Sequence, residues 1–229
     1  ILYVFDDAKS QFSEQKKLVK TGNPRSQEIL ENTKRTELSQ FKLKEDLKTV
    51  LIFGGSGGAL ALNKIVVAAI PELNKKPYQV IFATGQHYYN EVKEALAKQE
   101  VNENIAVVPY ISDMPSLLPN ITAVIARAGA TTIAEITAIG VPAILIPSPN
   151  VVHNHQLKNA LDLEKAGAAT VLTEDDLNVN NFVCSIDHIL LDSESAKIMS
   201  EASKKIAMPD ASDQIIKVMQ DLIASKAKK

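Results

Sequence analysis

Five residues, Gly54-Gly55-Ser56-Gly57-Gly58, stand between the apolar run 49–53 and a helical pattern over 59–70. Glycine lets a backbone turn through positive φ and approach a ligand closely. The helix start beyond it presents free N–H groups and a partial positive charge. That pairing suits a phosphate or a sugar, and the Ser56 hydroxyl adds a hydrogen bond. A tight turn alone needs fewer than the four glycines found here. The loop is not a P-loop, because no Lys-Ser/Thr pair follows it, and Leu60 fills the third glycine position of a dinucleotide fingerprint. A second glycine opens a helical pattern in Arg127-Ala128-Gly129-Ala130-Thr131-Thr132-Ile133-Ala134-Glu135. Gly129 makes this a second candidate anion site. Thr131 and Glu135 share a helix face, and an ionised carboxylate there can accept both hydroxyls of a ribose. The alternative is Glu135 as a solvated charge with Arg127 as its ion-pair partner.

Two further loops carry polar or aromatic residues. In Pro109-Tyr110-Ile111-Ser112-Asp113-Met114, Tyr110 and Ile111 form either an apolar wall for a flat base or two core residues before a helix capped by Ser112. His153-Asn154-His155-Gln156, with Asn159, follows Pro147-Ser148-Pro149. Two loop histidines without a third ligand nearby do not make a zinc site. His155 and Gln156 are better suited to hydrogen bonding a sugar, the alternative being a helix start capped by Asn154. Cys184 shares an apolar helical pattern with Val183 and Ile186 and is expected in the core. His87 and His188 receive no role.

The elements that must position these loops read clearly. Short apolar runs at 49–53, 78–83, 105–108, 121–125, 142–146 and 168–172 look like strands buried on both faces. Helical patterns lie between them near 59–70, 87–98, 112–118, 131–139 and 154–166. Strand and helix in alternation mean right-handed crossovers and a parallel sheet, so residues 46–172 are expected to form a six-stranded doubly wound α/β domain. Ligands in such sheets bind outside the carboxyl ends of the strands, where all four loops lie. Three helices are expected over 181–191, 193–207 and 211–226, with Pro209 separating the last two and a frayed tail from Lys226 to Lys229. Ile1 to Phe5 and Lys17 to Lys20 look like strands, Thr21-Gly22-Asn23-Pro24 is a turn, and helical potential returns near 34–41. A chain that begins at Ile1 inside an apparent strand is expected to be cut from a longer protein.

At 229 residues the chain suits one large domain or one and a half. It is 45% hydrophobic and 23% charged, the composition of an ordinary globular protein. Twenty-five basic residues against 27 acidic ones give a net charge of −2, which argues against a nucleic-acid binder. The single cysteine can form neither an internal disulfide nor a multi-cysteine metal site, and points to a reducing compartment.

The loops together resemble the MurG family, bacterial glycosyltransferases that move N-acetylglucosamine from its UDP donor onto lipid I to make lipid II. The matching stretches are GNP at 22–24, GGSGGALALN at 54–63, PYISDM at 109–114, ARAGATTIAEITAIGVPAILIPSP at 126–149 and HQLKNALDLEKAGAA at 155–169. The resemblance runs in order along essentially the whole chain. It implies the C-terminal, Rossmann-like half of a GT-B enzyme. On that basis residues 1–20 are a remnant of the N-terminal acceptor domain and 21–45 the interdomain linker. Residues 46–208 are the UDP-N-acetylglucosamine domain, and 209–229 a helix returning toward the N-terminal half.

Roles follow by position. Ser56 and Gly57 would contact the donor's phosphate or sugar, and Ile111 the uracil. Arg127, Ala130, Thr131 and Thr132 would line the nucleotide, and Glu135 would hold the ribose. Gln156, with His155 beside it, would meet the N-acetylglucosamine. The family usually has Gln where Gly57 stands, and often Gln at position 155. Its phosphate-binding arginine lies two residues after the proline of the GNP turn, whereas Arg25 follows Pro24 directly. The implied reaction inverts the anomeric carbon and needs no metal or other cofactor, because helix N-termini offset the charge growing on the leaving UDP. The acceptor site, the base and the membrane-docking patch belong to the N-terminal half, so this chain is expected to carry no catalytic residue, to bind donor weakly and to transfer nothing. The longer protein would meet lipid I as a peripheral protein on the cytoplasmic side of the bacterial cell membrane, serving cell-wall biogenesis, cell shape and division. Two other readings stand beside this one. The chain is a donor module of a split or different UDP-sugar GT-B enzyme, or a nicotinamide oxidoreductase, against which Leu60 argues.

Overall fold

A computed structural model describes residues 1–4, 9 and 12–227. Two short strands, β1 (Leu2–Tyr3) and β2 (Val19–Lys20), pair in parallel. Phe5, expected to end the first strand, lies outside the described residues, as do Lys228 and Lys229. The connection is more ordered than the composition predicts. Helix α1 (Arg25–Glu31) starts directly after Pro24, where proline's fixed φ favours a helix start, and a 3-10 turn spans Leu38–Phe41. The helical potential near 34–41 is therefore confined to that turn.

The principal sheet contains β3 (Thr49–Phe53), β4 (Gln79–Ala83), β5 (Ile105–Val108), β6 (Ala123–Ala126), β7 (Ala143–Leu145) and β8 (Thr170–Val171). Its spatial order is β5-β4-β3-β6-β7-β8, with every pairing parallel. The expected six-stranded doubly wound sheet is what forms. Alternate residues of each strand face opposite layers. Leu51, Ile81, Val124 and Leu145 pack beneath α4 (Met114–Leu117), α5 (Ala130–Ile139) and α6 (His155–Lys165). Val50, Ile52, Phe82, Ile125 and Ile144 face α2 (Leu60–Leu73), α3 (Tyr89–Leu96) and α7 (Val179–Leu191). Each such fully buried aliphatic or aromatic side chain contributes roughly 1.5–3 kcal/mol. Helices α8 (Ser193–Ile206) and α9 (Ala211–Ala227) complete the chain. No helix among the described residues is long and apolar enough to cross a membrane.

Three local expectations are corrected. Helix α2 runs through Pro71 rather than stopping at Ile70. Proline cannot donate to the carbonyl four residues back, and the side-chain amide of Gln99 donates to that carbonyl, Val67 O, at 3.0 Å instead. Helix α4 is capped by Asp113, whose carboxylate accepts from Ser116 N at 3.2 Å; Ser112 is not the cap. Cys184 is exposed. The buried stripe of α7 is Phe182, Val183, Ile186, Ile189 and Leu190, and position 184 falls to its outer side.

Candidate functional site

The strand order reverses between β3 and β6, and the loops after those two strands part there to form a crevice. The glycine loop turns sharply, with Gly58 N donating to Gly55 O at 3.1 Å. Gly58 has φ +79°, and a Cβ on it would lie 2.4 Å from Thr84 O. A Cβ on Gly85 would in turn lie 2.5 Å from the Gly58 Cα. The loops after β3 and β4 thus touch backbone to backbone, a contact that only glycines permit. Asn63, on the first turns of α2, donates to Thr84 O at 2.9 Å and braces the same junction. Across the crevice, Gly129 precedes α5, and the first helical amide with an internal partner is Ile133 N, donating to Gly129 O at 2.9 Å. The amides of Ala130, Thr131 and Thr132 therefore head the helix.

Two clefts open along this crevice. The first, about 360 Å³, is walled by Phe53, Pro109, Tyr110 and Ile111 on one side and by Thr131 and Glu135 on the other. The second, about 350 Å³, is ringed by the glycine loop, Arg127, Gly129, Thr132, Ser148 and Gln156. Gly55, Ser56 and Thr132 line both, so the clefts meet at the two loops that carry helix N-termini. One compartment has a flat apolar wall and a carboxylate. The other is ringed by glycine backbone, the hydroxyl residues Ser56, Thr132 and Ser148, the Gln156 amide and the Arg127 guanidinium. A nucleoside suits the first and an anionic group with a sugar the second.

Glu135 is the principal charge in the first cleft. It is only 5% exposed, and Arg25 Nε donates to its Oε1 at 2.5 Å. Burial pushes the Glu135 carboxyl up from its ordinary value, while the Arg25 hydrogen bond and charge pull it down. The same contact raises the Arg25 guanidinium further. Glu28 takes Arg25 Nη1 at 2.6 Å. Glu135 is thus neither solvated nor paired with Arg127. Arg127 pairs with Glu174 and donates through Nη1 to Ile146 O at 3.1 Å and Pro147 O at 3.3 Å. It braces the strand ends beside the second cleft.

Residues 49–215 match the family described as Glycosyltransferase family 28 C-terminal domain. The chain belongs to glycosyltransferase family 28. It is 64% identical over 228 residues to the UDP-N-acetylglucosamine–N-acetylmuramyl-(pentapeptide) pyrophosphoryl-undecaprenol N-acetylglucosamine transferase of Lactobacillus johnsonii, a match covering 99% of this chain and 62% of that protein. The protein of the same name in Lactiplantibacillus plantarum is 46% identical over 219 residues, covering 96% and 60%. The crystal structure of Acinetobacter baumannii MurG superposes with a TM-score of 0.73 at 25% identity, covering 96% of this chain and 59% of that one. The chain therefore spans about 62% of the length of the Lactobacillus relative.

Most residues that sequence reasoning singled out in this family 28 domain converge on the crevice. Ser56, Ile111, Thr131, Thr132 and Glu135 line the first cleft, and Ser56, Gly57, Arg127, Thr132 and Gln156 the second. Gln156 reaches it from the first turn of α6, its Oε1 accepting from Ser148 N at 2.9 Å. Two residues stand apart. Ala130 heads α5 without lining either cleft. His155 lines neither cleft, is exposed, and has its Nδ1 2.9 Å from Val152 O. Asn154 is not the expected cap, because its backbone is left-handed (φ 53°) and its side chain makes no cap bond. Sequence reasoning did not find the Arg25 partnership with Glu135, 110 residues apart, and no local spacing signals it. Thr84-Gly85, directly after β4, could have been found from its place at a strand end.

Proposed function

We propose that this domain binds UDP-N-acetylglucosamine and is the donor half of the transferase that adds N-acetylglucosamine to N-acetylmuramyl-(pentapeptide) pyrophosphoryl-undecaprenol. The observation that carries the reading is the pair of joined clefts, one with an apolar wall and buried carboxylate, the other ringed by glycine backbone and polar side chains, sharing Ser56 and Thr132. Uracil packs between Tyr110 and Ile111, Glu135 accepts the ribose hydroxyls, and the diphosphate lies between the glycine loop and the start of α5. The sugar reaches toward Gln156, with His155 at the rim. Charge that develops on the departing diphosphate is stabilised by amides already oriented toward it, which requires no reorganisation as the bond breaks.

The acceptor hydroxyl and its base would come from the remainder of the longer protein, with residues 1–20 part of that half, 21–45 the linker and α9 returning to it. Peripheral contact with the cytoplasmic face of the cell membrane, where the lipid-linked acceptor lies, belongs to the same reading, as do roles in cell shape and division. Calorimetric titration with UDP-N-acetylglucosamine, UDP and ADP, beside Glu135→Ala, tests it. Uridine-selective binding that weakens in the variant is expected. Equal affinity for ADP and UDP would overturn it.

A further inference from the structure

We infer that Arg25, carried by the segment leading into the α/β domain, is a positioning residue of the nucleoside site: its guanidinium fixes the Glu135 carboxylate as the acceptor for a ribose. This rests on the donor-site reading above. The geometry is specific. Arg25 sits at the first position of α1, and Arg25 N donates to Asn23 Oδ1 at 3.0 Å, which sets that turn. Ser26 Oγ donates to Ala134 O at 3.3 Å, docking α1 against α5 beside the acid. Arg25 Nε occupies Oε1 of Glu135, which leaves Oε2 for a ligand. The second arm is held by Glu28, so the guanidinium is clamped between two carboxylates rather than free to follow a phosphate.

The charges around Glu135 are few. Helix α1 supplies Arg25 and Glu28. Of the other described residues lining the cleft, only Tyr110, from the loop after β5, is titratable. Arg25 is thus the cation offsetting burial of the acid, and without it Glu135 takes up a proton more readily and loses acceptor capacity. The linker then reports to the donor site through one ion pair, and a movement of α1 away from α5 weakens ribose binding.

The test compares the parent chain, Arg25→Gln and Arg25→Lys. The Glu135 carboxyl carbon is followed by NMR from pH 4 to 9, and UDP affinity is measured over the same range. In Arg25→Gln the carboxyl is expected to titrate at higher pH than in the parent, and in Arg25→Lys in between. At pH below both titrations, the variant-to-parent ratio of UDP dissociation constants, in which ionisation of the ligand cancels, should approach tenfold for each unit of that displacement. It should fall toward one as pH rises past the variant's titration. A ratio independent of pH would mean that Arg25 contacts the ligand itself, and would overturn the inference. An unmoved Glu135 titration would overturn it too, whether or not UDP binds. Absence of UDP binding by a parent whose Glu135 does respond to Arg25 would instead overturn the donor-site reading.

Discussion

On the proposed donor-site reading, Glu135 accepts a ribose while both buried and charged, and these two demands oppose each other. Its carboxyl is raised in the folded chain, chiefly by burial. Below its unfolded value both states hold the proton. As pH rises past that value the unfolded chain loses the proton first, so stability falls until the folded carboxyl has ionised as well. Glu135→Gln removes that cost. It should weaken UDP binding by roughly tenfold to a hundredfold, the worth of charge-assisted hydrogen bonds, while thermal melting at neutral pH stays level or rises. Calorimetry and a melting curve on one sample check both. The glycine loop makes a second contrast. Gly57 has open space where a Cβ would stand, whereas Gly58 has a positive φ and backbone against it. Gly57→Ala should leave urea stability within about 0.5 kcal/mol of the parent. Gly58→Ala should cost at least ~1–2 kcal/mol, the left-handed penalty alone, and loosen the loop. Much of this residue-scale chemistry was legible in the sequence, because glycines and a carboxylate at strand ends signal locally. The partners of Glu135 and Arg127 were not, because they come from segments remote in sequence.

Whole elements were legible where hydrophobic period governed them, and less so where side chains repaired the backbone. All six principal strands were expected near their observed places, since a strand buried on both faces is written as an apolar run. The length of α2 was not, because its continuation through Pro71 depends on Gln99, in another helical segment's tail. A comparable long-range device fastens α7 to the sheet. Asp187 accepts from Tyr78 Oη at 2.9 Å and from Lys76 Nζ at 2.6 Å, below the start of β4. Tyr78 is 1% exposed, so losing Asp187 strands a buried hydroxyl. Asp187→Ala should cost about 1–3 kcal/mol by urea unfolding without changing UDP affinity, since the pair lies at the opposite end of the strands from the clefts. Burial, and secondarily Asp187, hold the Tyr78 phenol above its usual range. Above about pH 10 the unfolded chain therefore ionises there first and stability falls. Tyr78→Phe should flatten that alkaline loss in a pH series of unfolding curves, although it removes a hydrogen bond.

At the scale of the whole molecule, the core is complete but one flank is not. Ile216, Met219, Leu222 and Ile223 on α9 are 51–68% exposed, at spacings that bring them onto one stripe. Ile1, Leu2 and Val19 are also more than a third exposed on β1 and β2, and a two-stranded sheet is marginal by itself. A cavity of about 350 Å³ adjoins them, lined in part by Val4, Lys20, Ile133, Leu163 and Met208. This incompleteness was only partly legible: the apolar residues of α9 could be read, but periodicity does not say whether the face they make is covered. If the preceding half of the longer protein covers this flank, the 229-residue chain alone leaves adhesive surface in water, and contiguous exposed apolar patches drive association. Sedimentation velocity across a concentration series should then show a monomer giving way to larger species. Leu222→Lys with Ile223→Lys should hold the chain monomeric, with its urea midpoint unchanged because neither side chain belongs to the core. UDP affinity should also be unchanged, since the substituted face does not line either cleft. A parent that stays monomeric at the highest concentration would show that the stripe is too small to drive pairing, and an interdomain role for α9 would then rest on its place in the chain alone.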